Sequence, residues 1–231
     1  SQDVLVPAFL AAYAGTDPNT APLIKQSNAK VSSNPFAGIL PRPNWRVTYT
    51  GLTKIPALAE KFNNISFSHS YKGNLSMNSF NSALLYQDPF RLGGPSFMDT
   101  VSGNYIPFFL VPNITMQENF EPLIGIDFTT NKQLNMHFEY RKGRQLSLSL
   151  VDYQLSENNS TEWVFGTAFR KKGVKLPFTI PGLNNNKLSN DLTFRLDVST
   201  RDMFNSNSRL DQSNAYGTGG QKEVTLQPSI D

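Results

Sequence analysis

An alternation of apolar and polar residues between Leu134 and Leu150 constrains the fold of this chain most strongly. Even positions are apolar and odd positions polar in Leu134–Tyr140, and the same alternation resumes in Gln145–Leu150. A period of two places the apolar residues on one face of a β-strand and the polar residues on the other. The intervening Arg141–Arg144 is basic and contains a glycine, so the sequence predicts a hairpin with a basic turn.

Two environments suit such a sheet: a half-buried soluble domain, or a barrel with lipid outside and water inside. The composition of 39% apolar and 12% aromatic residues is typical of a barrel with a wet interior, although a soluble all-β domain fits it as well. A net charge of +3 is too weak to indicate a nucleic-acid partner. The absence of cysteine excludes disulfides, thiolate metal sites and cysteine catalysis, and leaves the compartment open.

Targeting features are sparse. Ser1–Asp3 does not begin a signal peptide, so the chain is expected to be mature, cytosolic or cut from something larger. The longest apolar run, Tyr105–Val111, is too short for a membrane-spanning helix and contains Pro107. If the chain lies in a membrane, it must therefore cross the membrane with β-strands.

The rest of the chain divides into three parts. Residues 1–43 are predicted to form a short helix with helical spacing from Val4 to Tyr13, followed by a linker or loop rich in Pro, Asn and Ser. Residues 44–200 are predicted to hold antiparallel barrel strands joined by long polar loops. Residues 201–231 are predicted to be a polar loop or tail that closes no barrel, which makes the chain an expected segment of a longer polypeptide.

Single strands are predicted within the middle part. Asn113–Thr129 keeps one parity for roughly 17 residues, about 56 Å at 3.3 Å per residue, which exceeds a bilayer. Its Pro122 lacks an amide hydrogen and predicts a bulge or an edge, and a further bulge is expected where parity slips between Leu150 and Val151. Lys72–Asn74 is either a hairpin turn or the middle of a longer strand. Further strands are predicted at Trp45–Leu52, Ile65–Tyr71, Ala83–Gln87, Glu162–Phe169 and Leu192–Ser199.

In a barrel wall, each strand side chain faces either the lipid or the lumen. Tyr140 at one end of its strand, with Tyr153 and Trp163 at the other end of theirs, would mark the membrane borders. The predicted lipid-facing residues are Leu134, Met136, Phe138, Leu146, Leu148, Phe165, Phe169, Phe194 and Leu196. The predicted lumen-facing residues are Asn135, His137, Glu139, Gln145, Ser147, Ser149, Arg195 and Asp197.

No arrangement of residues indicates catalysis, so an enzyme is not expected, and neither is a cofactor. His137 and Glu139 lie two apart on one strand face and could offer two metal ligands, but the sequence shows no third, and a solvated lumen face is favoured. His69 shares the parity of apolar neighbours and is interpreted as an interface residue. Asp127 could be a lumen charge.

Three separated segments resemble one family. Pro41–Leu52 (PRPNWRVTYTGL), Phe120–Asp127 (FEPLIGID) and Phe138–Ser149 (FEYRK followed by LSLS) are similar to the C-terminal part of the SprA family, called Sov in some bacteria. The resemblance runs from about Ala8 to Phe178 and is weaker in the loops and the last fifty or so residues. That family is the outer-membrane translocon of the type IX secretion system of Bacteroidetes.

The resemblance implies a function that periodicity cannot. SprA-like proteins form one giant barrel of about 36 strands, which is among the largest known. This barrel exports folded cargo proteins that carry a C-terminal signal domain, and it supports gliding motility. It implies as partners the rest of the barrel, a PorV-like barrel, a periplasmic plug protein and outer-membrane lipid. Two alternatives stay open: a complete small porin-like or lipid-binding barrel, and a soluble β-sandwich that binds carbohydrate.

Overall fold

The fold is known from a computed structural model that describes residues 2–15, 17, 42–87, 97–107, 109–174, 191–212 and 216–231. Most of the predicted linker between Thr16 and Pro43, and the polar loop at 175–190, lie outside the described residues. The fold is mostly β, as predicted. Its elements are α1 (Gln2–Ala14), β1 (Trp45–Tyr49), a 3₁₀ turn (Gly51–Lys54), α2 (Pro56–Ala59), β2 (Phe62–Asn78), β3 (Asn81–Ser82), β4 (Phe109–Leu110), β5 (Asn113–Thr130), β6 (Leu134–Ser149), β7 (Gln154–Lys171), β8 (Leu192–Arg209) and β9 (Tyr216–Ile230).

One open antiparallel sheet dominates the molecule. Its seven strands lie in the order β1-β2-β5-β6-β7-β8-β9, and every neighbouring pair is antiparallel. Within the described residues β1 and β9 are the two edges and do not pair with each other, so the sheet is not closed. The short β3 and β4 form a separate two-stranded ladder. The prediction of an antiparallel, mostly β fold with a short N-terminal helix is confirmed, whereas the described strands form no closed barrel.

The predicted basic turn is wrong. β6 runs without interruption from Leu134 to Ser149, and its basic segment pairs with β5 on one side and β7 on the other. Alternation gives the physical reason: the apolar residues keep even parity across Arg141–Arg144, as a continuous strand requires. The parity breaks between Leu150 and Val151, and the hairpin turn lies there in place of the predicted bulge.

The structure decides between the two alternatives for one other segment and contradicts the prediction for another. β2 passes through Lys72–Asn74 as one strand of 17 residues, which excludes the hairpin. The strand predicted at Ala83–Gln87 is wrong, because β3 covers only Asn81–Ser82 and a turn follows. β2 already occupies the matching edge of β5 as far as Asn78, and only Asn81 and Ser82, just before this segment, pair with β4.

The predicted polar tail over 201–231 is also wrong. β8 continues to Arg209, and β9 pairs with it residue by residue from Tyr216 to Ile230. Gly, Ser, Asn and Gln have low intrinsic strand preference, which is why the sequence predicts a loop here. Pairing along a long neighbouring strand overrides that preference.

The predicted irregularity at Pro122 is a bulge. Phe120 pairs with Lys142 and Ile124 pairs with Tyr140, so three residues of β5 stand opposite one residue of β6. The carbonyl groups of this bulge accept bonds from β2 side chains, including the hydroxyl of Ser70. Because the excess is an even number, the residues before and after the bulge remain on the same face of the sheet.

A hydrophobic core lies at one end of one face. Helix α1 packs across this end and buries its own apolar side chains against β5 and β6; the core comprises Val6, Phe9, Leu10, Tyr13, Phe109, Val111, Ile114, Met116 and Leu148. The other half of the same face has no such cover among the described residues. No helix in the described ranges is long and apolar enough to cross a membrane.

Candidate functional site

The register of the strands separates the sheet into two chemically opposite faces. Phe138 pairs with Ile126 on one side and with Phe165 on the other, and Phe165 pairs in turn with Val198. Directly paired residues share a face, so these side chains form one row across the sheet. We call their side the apolar face and the opposite side the polar face.

An apolar belt crosses all seven strands. It occupies a stretch of roughly seven residues in each long strand, about 23 Å at 3.3 Å per residue. Apart from Ile65, which is 8% exposed, its side chains are half-buried or exposed, with Phe165 at 37% and Leu226 at 65% exposure. The belt consists of Val47, Tyr49, Ile65, Phe67, Ile124, Ile126, Phe128, Leu134, Met136, Phe138, Phe165, Phe169, Phe194, Leu196, Val198, Val224, Leu226 and Ile230.

Most of the predicted lipid-facing residues lie in this belt. Leu134, Met136, Phe138, Phe165, Phe169, Phe194 and Leu196 share the face. Leu148 is a correction, because it is 2% exposed within the core that α1 covers. Leu146 shares the face beyond the belt and is partly buried against that core. Strand periodicity identifies the apolar face but not which part of it another element covers.

Aromatic rings form a row where the belt approaches the core. The rings of Trp45 and Tyr71 stack with centroids 4.4 Å apart, and Phe120 lies 5.1 Å from Tyr71. Farther along, Tyr140 and Trp163 stack at 4.2 Å. The sequence predicted Tyr140 and Trp163 at opposite membrane borders. This prediction is wrong, because β6 is a single strand and its Tyr140 pairs directly with Trp163 of β7.

His69 lies beside this aromatic row on the apolar face. Its ring is 6.3 Å from Trp45 and 5.9 Å from Phe120, and its Nδ1 lies 2.7 Å from the Leu123 carbonyl oxygen in the bulge. The interpretation of His69 as an interface residue matches this position. The hydrogen bond explains how the ring sits among apolar neighbours, since a polar atom needs a partner when water is excluded.

Every predicted lumen-facing residue lies on the polar face. Asn135 is in register with Ala168 and Arg195, and His137 with Gly166 and Asp197. Gln145, Ser147 and Ser149 continue the same parity along β6. Outside the bulge, the polar face of the described strands carries apolar side chains only at Val164, Ala168 and Met203. A surface of this composition suits water.

A line of ionic contacts runs along the polar face. Asp127 Oδ1 lies 2.5 Å from Nδ1 of His137, and Nε2 of His137 lies 3.3 Å from Glu139 Oε1. Arg141 donates from Nε to Glu139 over 2.6 Å and reaches Glu162 at 3.4 Å. The possible ligands His137 and Glu139 are thus engaged with protein partners. Among the described residues no group of three or more His, Asp or Glu could hold a metal ion.

A row of alternating charge crosses the polar face from β6 to β9. Arg141 stands opposite Glu162, Glu162 opposite Arg201, and Arg201 opposite Glu223. Opposite charges on directly paired residues attract, and each such pair favours this register. Sequence reasoning missed the row, because it exists only once the register of all four strands is known.

Beyond the belt, polar contacts fix helix α1 to the sheet. Arg42 Nη1 lies 2.5 Å from Glu118 Oε1, and the Tyr71 hydroxyl donates to the same oxygen over 2.8 Å. The backbone amide of Arg42 donates to the Tyr13 hydroxyl over 2.9 Å. This cluster joins α1, the segment before β1, β2 and β5 at the boundary between core and belt.

A second ion pair lies farther along the same end of the sheet. Arg144 Nε donates to Glu157 over 2.7 Å. Burial tends to raise the pKa of Glu157, but hydrogen bonds from Asn159 and Arg144 and the arginine charge outweigh it, so the pKa lies below its ordinary value.

The register and the two faces define a large antiparallel sheet whose apolar belt no described element covers and whose opposite side is polar. Comparison of the chain with models of protein families and with curated proteins gives no match.

Proposed function

We propose that this sheet is part of the wall of a transmembrane β-barrel in a bacterial outer membrane. The observation that carries the proposal is the belt itself: apolar side chains stay in register across seven strands while the opposite side is almost entirely polar. Lipid on one side and water on the other account for both faces at once.

The belt is long enough to cover most of a membrane-spanning band. Its length of about 23 Å along the strands gives a height of about 16 to 19 Å at the tilt of about 35–45° found in outer-membrane barrels, whose apolar band is about 25 Å tall. The aromatic row fits a membrane–water border, where Tyr and Trp are favoured. The long strands have 15 to 18 residues, more than the 9 to 11 a bilayer needs. The wall therefore extends beyond the membrane, with α1 on its outer surface.

The open edges indicate what else the barrel needs. A backbone edge cannot face hydrocarbon, so β1 and β9 must each pair with a strand outside the described residues. The seven strands alternate in direction, which makes β1 and β9 parallel to each other. An even, fully antiparallel barrel is therefore completed by an odd number of further strands.

The resemblance of three segments to the SprA family favours a protein-conducting channel as the particular function. The chain would then be a segment of a type IX secretion translocon that exports folded cargo and is linked to gliding motility. Its polar face supports this function, because neutral Asn, Ser, Thr and Gln together with mutually neutralised charges bind passing protein weakly. The proposal involves no enzyme chemistry and no cofactor.

Blocking the pore tests the proposed function. The chain contains no cysteine, so Ser199→Cys on the polar face and Val198→Cys on the belt form a matched pair of variants in this segment. After modification with a bulky polyethylene-glycol maleimide in living cells, we expect the Ser199 variant to lose export of cargo carrying the C-terminal signal domain. The Val198 variant should retain it.

Two outcomes oppose the proposal in different ways. Equal export from both modified variants would show that the polar face does not border the path of the cargo. A protein that stays soluble without detergent, and whose folded Val198 variant resists modification while the Ser199 variant reacts, would favour the soluble β-sandwich over a barrel.

A further inference from the structure

The end of the belt away from the core is bordered by lysines. Lys61 directly precedes β2, Lys132 lies in the β5–β6 turn, Lys171 ends β7 and Lys172 directly follows it; we call these four residues the lysine rim. Among the described residues no ion pair joins any of them to a carboxylate. All four side chains are exposed.

The members of the rim are neighbours along the edge of the sheet. The Asn131 amide donates to the Lys61 carbonyl over 3.2 Å, which places the β5–β6 turn beside the start of β2. Leu134 pairs with Phe169, so the same turn lies next to the end of β7. The lysines therefore follow one another across three adjacent strand connections.

Phenylalanines lie directly inside the rim. The rings of Phe62 and Phe128 meet edge to face at 5.4 Å, and Phe169 pairs directly with Phe194. Moving outward on the apolar face, a molecule would thus meet hydrocarbon-like side chains first and ammonium groups next. Acyl chains joined to an anionic phosphate present the same order.

The opposite border differs in its charges. There Arg42 is paired with Glu118, Arg144 with Glu157, and Lys222 lies 3.8 Å from Asp202. Lys72 and Lys142 carry no carboxylate partner among the described ion pairs. At the rim, Arg170 neutralises Asp191 at 2.7 Å. Glu60 and Asp231 are the remaining carboxylates at that end, so lysine charge is in excess there.

We infer that the lysine rim binds the phosphate groups of anionic lipid headgroups while the belt contacts their acyl chains. The inference rests on the proposed function, because it requires lipid around the belt. It also orients the protein: the rim faces the leaflet richer in anionic phospholipid, and the core with α1 lies on the other side of the membrane. Each lysine near an anionic surface raises the affinity about fivefold.

The test uses the complete polypeptide that carries this chain, reconstituted with a dye on a single cysteine at Thr130. Quenching by brominated phosphatidylglycerol is compared with quenching by brominated phosphatidylcholine to give relative affinities. We expect phosphatidylglycerol to be preferred by about tenfold or more, and the variant with all four rim lysines changed to Gln to lose that preference. The matched control, Lys142→Gln with Lys222→Gln at the opposite border, should keep it.

The outcomes separate this inference from the proposed function. Equal quenching by both lipids in the unmodified protein would overturn the lysine rim alone and leave the belt in lipid. Quenching by neither would overturn the proposed function as well. Inorganic phosphate that abolishes the preference at constant ionic strength would show a general anion site, which also contradicts a lipid-specific one. Raising the salt concentration should weaken the preference, since exposed charges are screened.

Discussion

At the scale of residues, one carboxylate holds several parts of the molecule together. The side chain of Glu118 is 13% exposed and accepts from both Arg42 and Tyr71. Its position on β5, between the core and the aromatic row, lets it couple the segment before β1 to the sheet. This role could not be predicted from the sequence, because the partners of Glu118 lie 76 and 47 positions away.

Replacing Glu118 by Gln should loosen helix α1. The amide keeps the shape but loses the charge that Arg42 requires, which we expect to cost about 1 to 2 kcal/mol. Hydrogen–deuterium exchange in α1 should become about tenfold faster, because local opening reports local free energy. Glu223→Gln, at the edge strand, serves as the control and should leave α1 unchanged; the same exchange rates in both variants would contradict the role of Glu118.

The Arg144–Glu157 pair predicts a dependence on pH. The pKa of Glu157 is lowered in the folded chain, so its stabilisation is present above the ordinary glutamate pKa and disappears as the pH falls through the lowered value. Glu157→Gln should therefore destabilise the protein at pH 7, by at most about 1 kcal/mol for a partly exposed pair. The difference between variant and parent in urea unfolding should shrink as the pH falls through the lowered pKa and vanish once Glu157 is protonated; a difference that persists in acid would exclude the ion pair as its cause.

At the scale of elements, alternation predicted the face of each strand well and the ends of strands poorly. The parity of β6 is visible in the sequence, and reading it strictly across Arg141–Arg144 would have given one strand. β9 could not be predicted in that way, because its Gly-rich residues become a strand only through pairing with β8. The division of the apolar face into belt and core also depends on where α1 packs, which no strand pattern encodes.

The division of the apolar face into core and belt predicts different losses of folding free energy for similar substitutions. Leu148→Ala removes a fully covered side chain from the core beneath α1 and should cost about 2 to 4 kcal/mol. Leu196→Ala, in the belt, removes a side chain that is 36% exposed and should cost less than half as much. Unfolding of both variants in the same detergent provides the comparison, and equal costs would show that the two leucines have the same surroundings.

At the scale of the whole molecule, the proposed barrel requires strands beyond the open sheet. β1 and β9 leave hydrogen-bonding edges unpaired among the described residues, and such edges are not stable in a detergent or lipid environment. The structure shows an open sheet, and the giant barrel that the sequence resemblance implies stays a proposal. The charge row and the aromatic row depend on the register of the strands, which the sequence alone does not determine.

Refolding tests this dependence. The 231-residue chain refolded alone in detergent should give no heat-modifiable species on electrophoresis, because its edges remain open. The complete polypeptide should give one. A compact, heat-modifiable form of the chain alone would instead favour the complete small barrel.

The most direct measurement of the central claim is spin-label accessibility along β7 in the complete membrane-embedded polypeptide. Single cysteines from Gln154 to Lys171 would report contact with oxygen, which enriches in lipid, and with a water-soluble nickel complex. The belt predicts oxygen contact at Trp163, Phe165 and Phe169, nickel contact at the even positions between them, and low access to both at Leu155. Nickel contact at both parities, or protection of the belt positions from both reagents, would contradict a sheet with lipid on one side and water on the other.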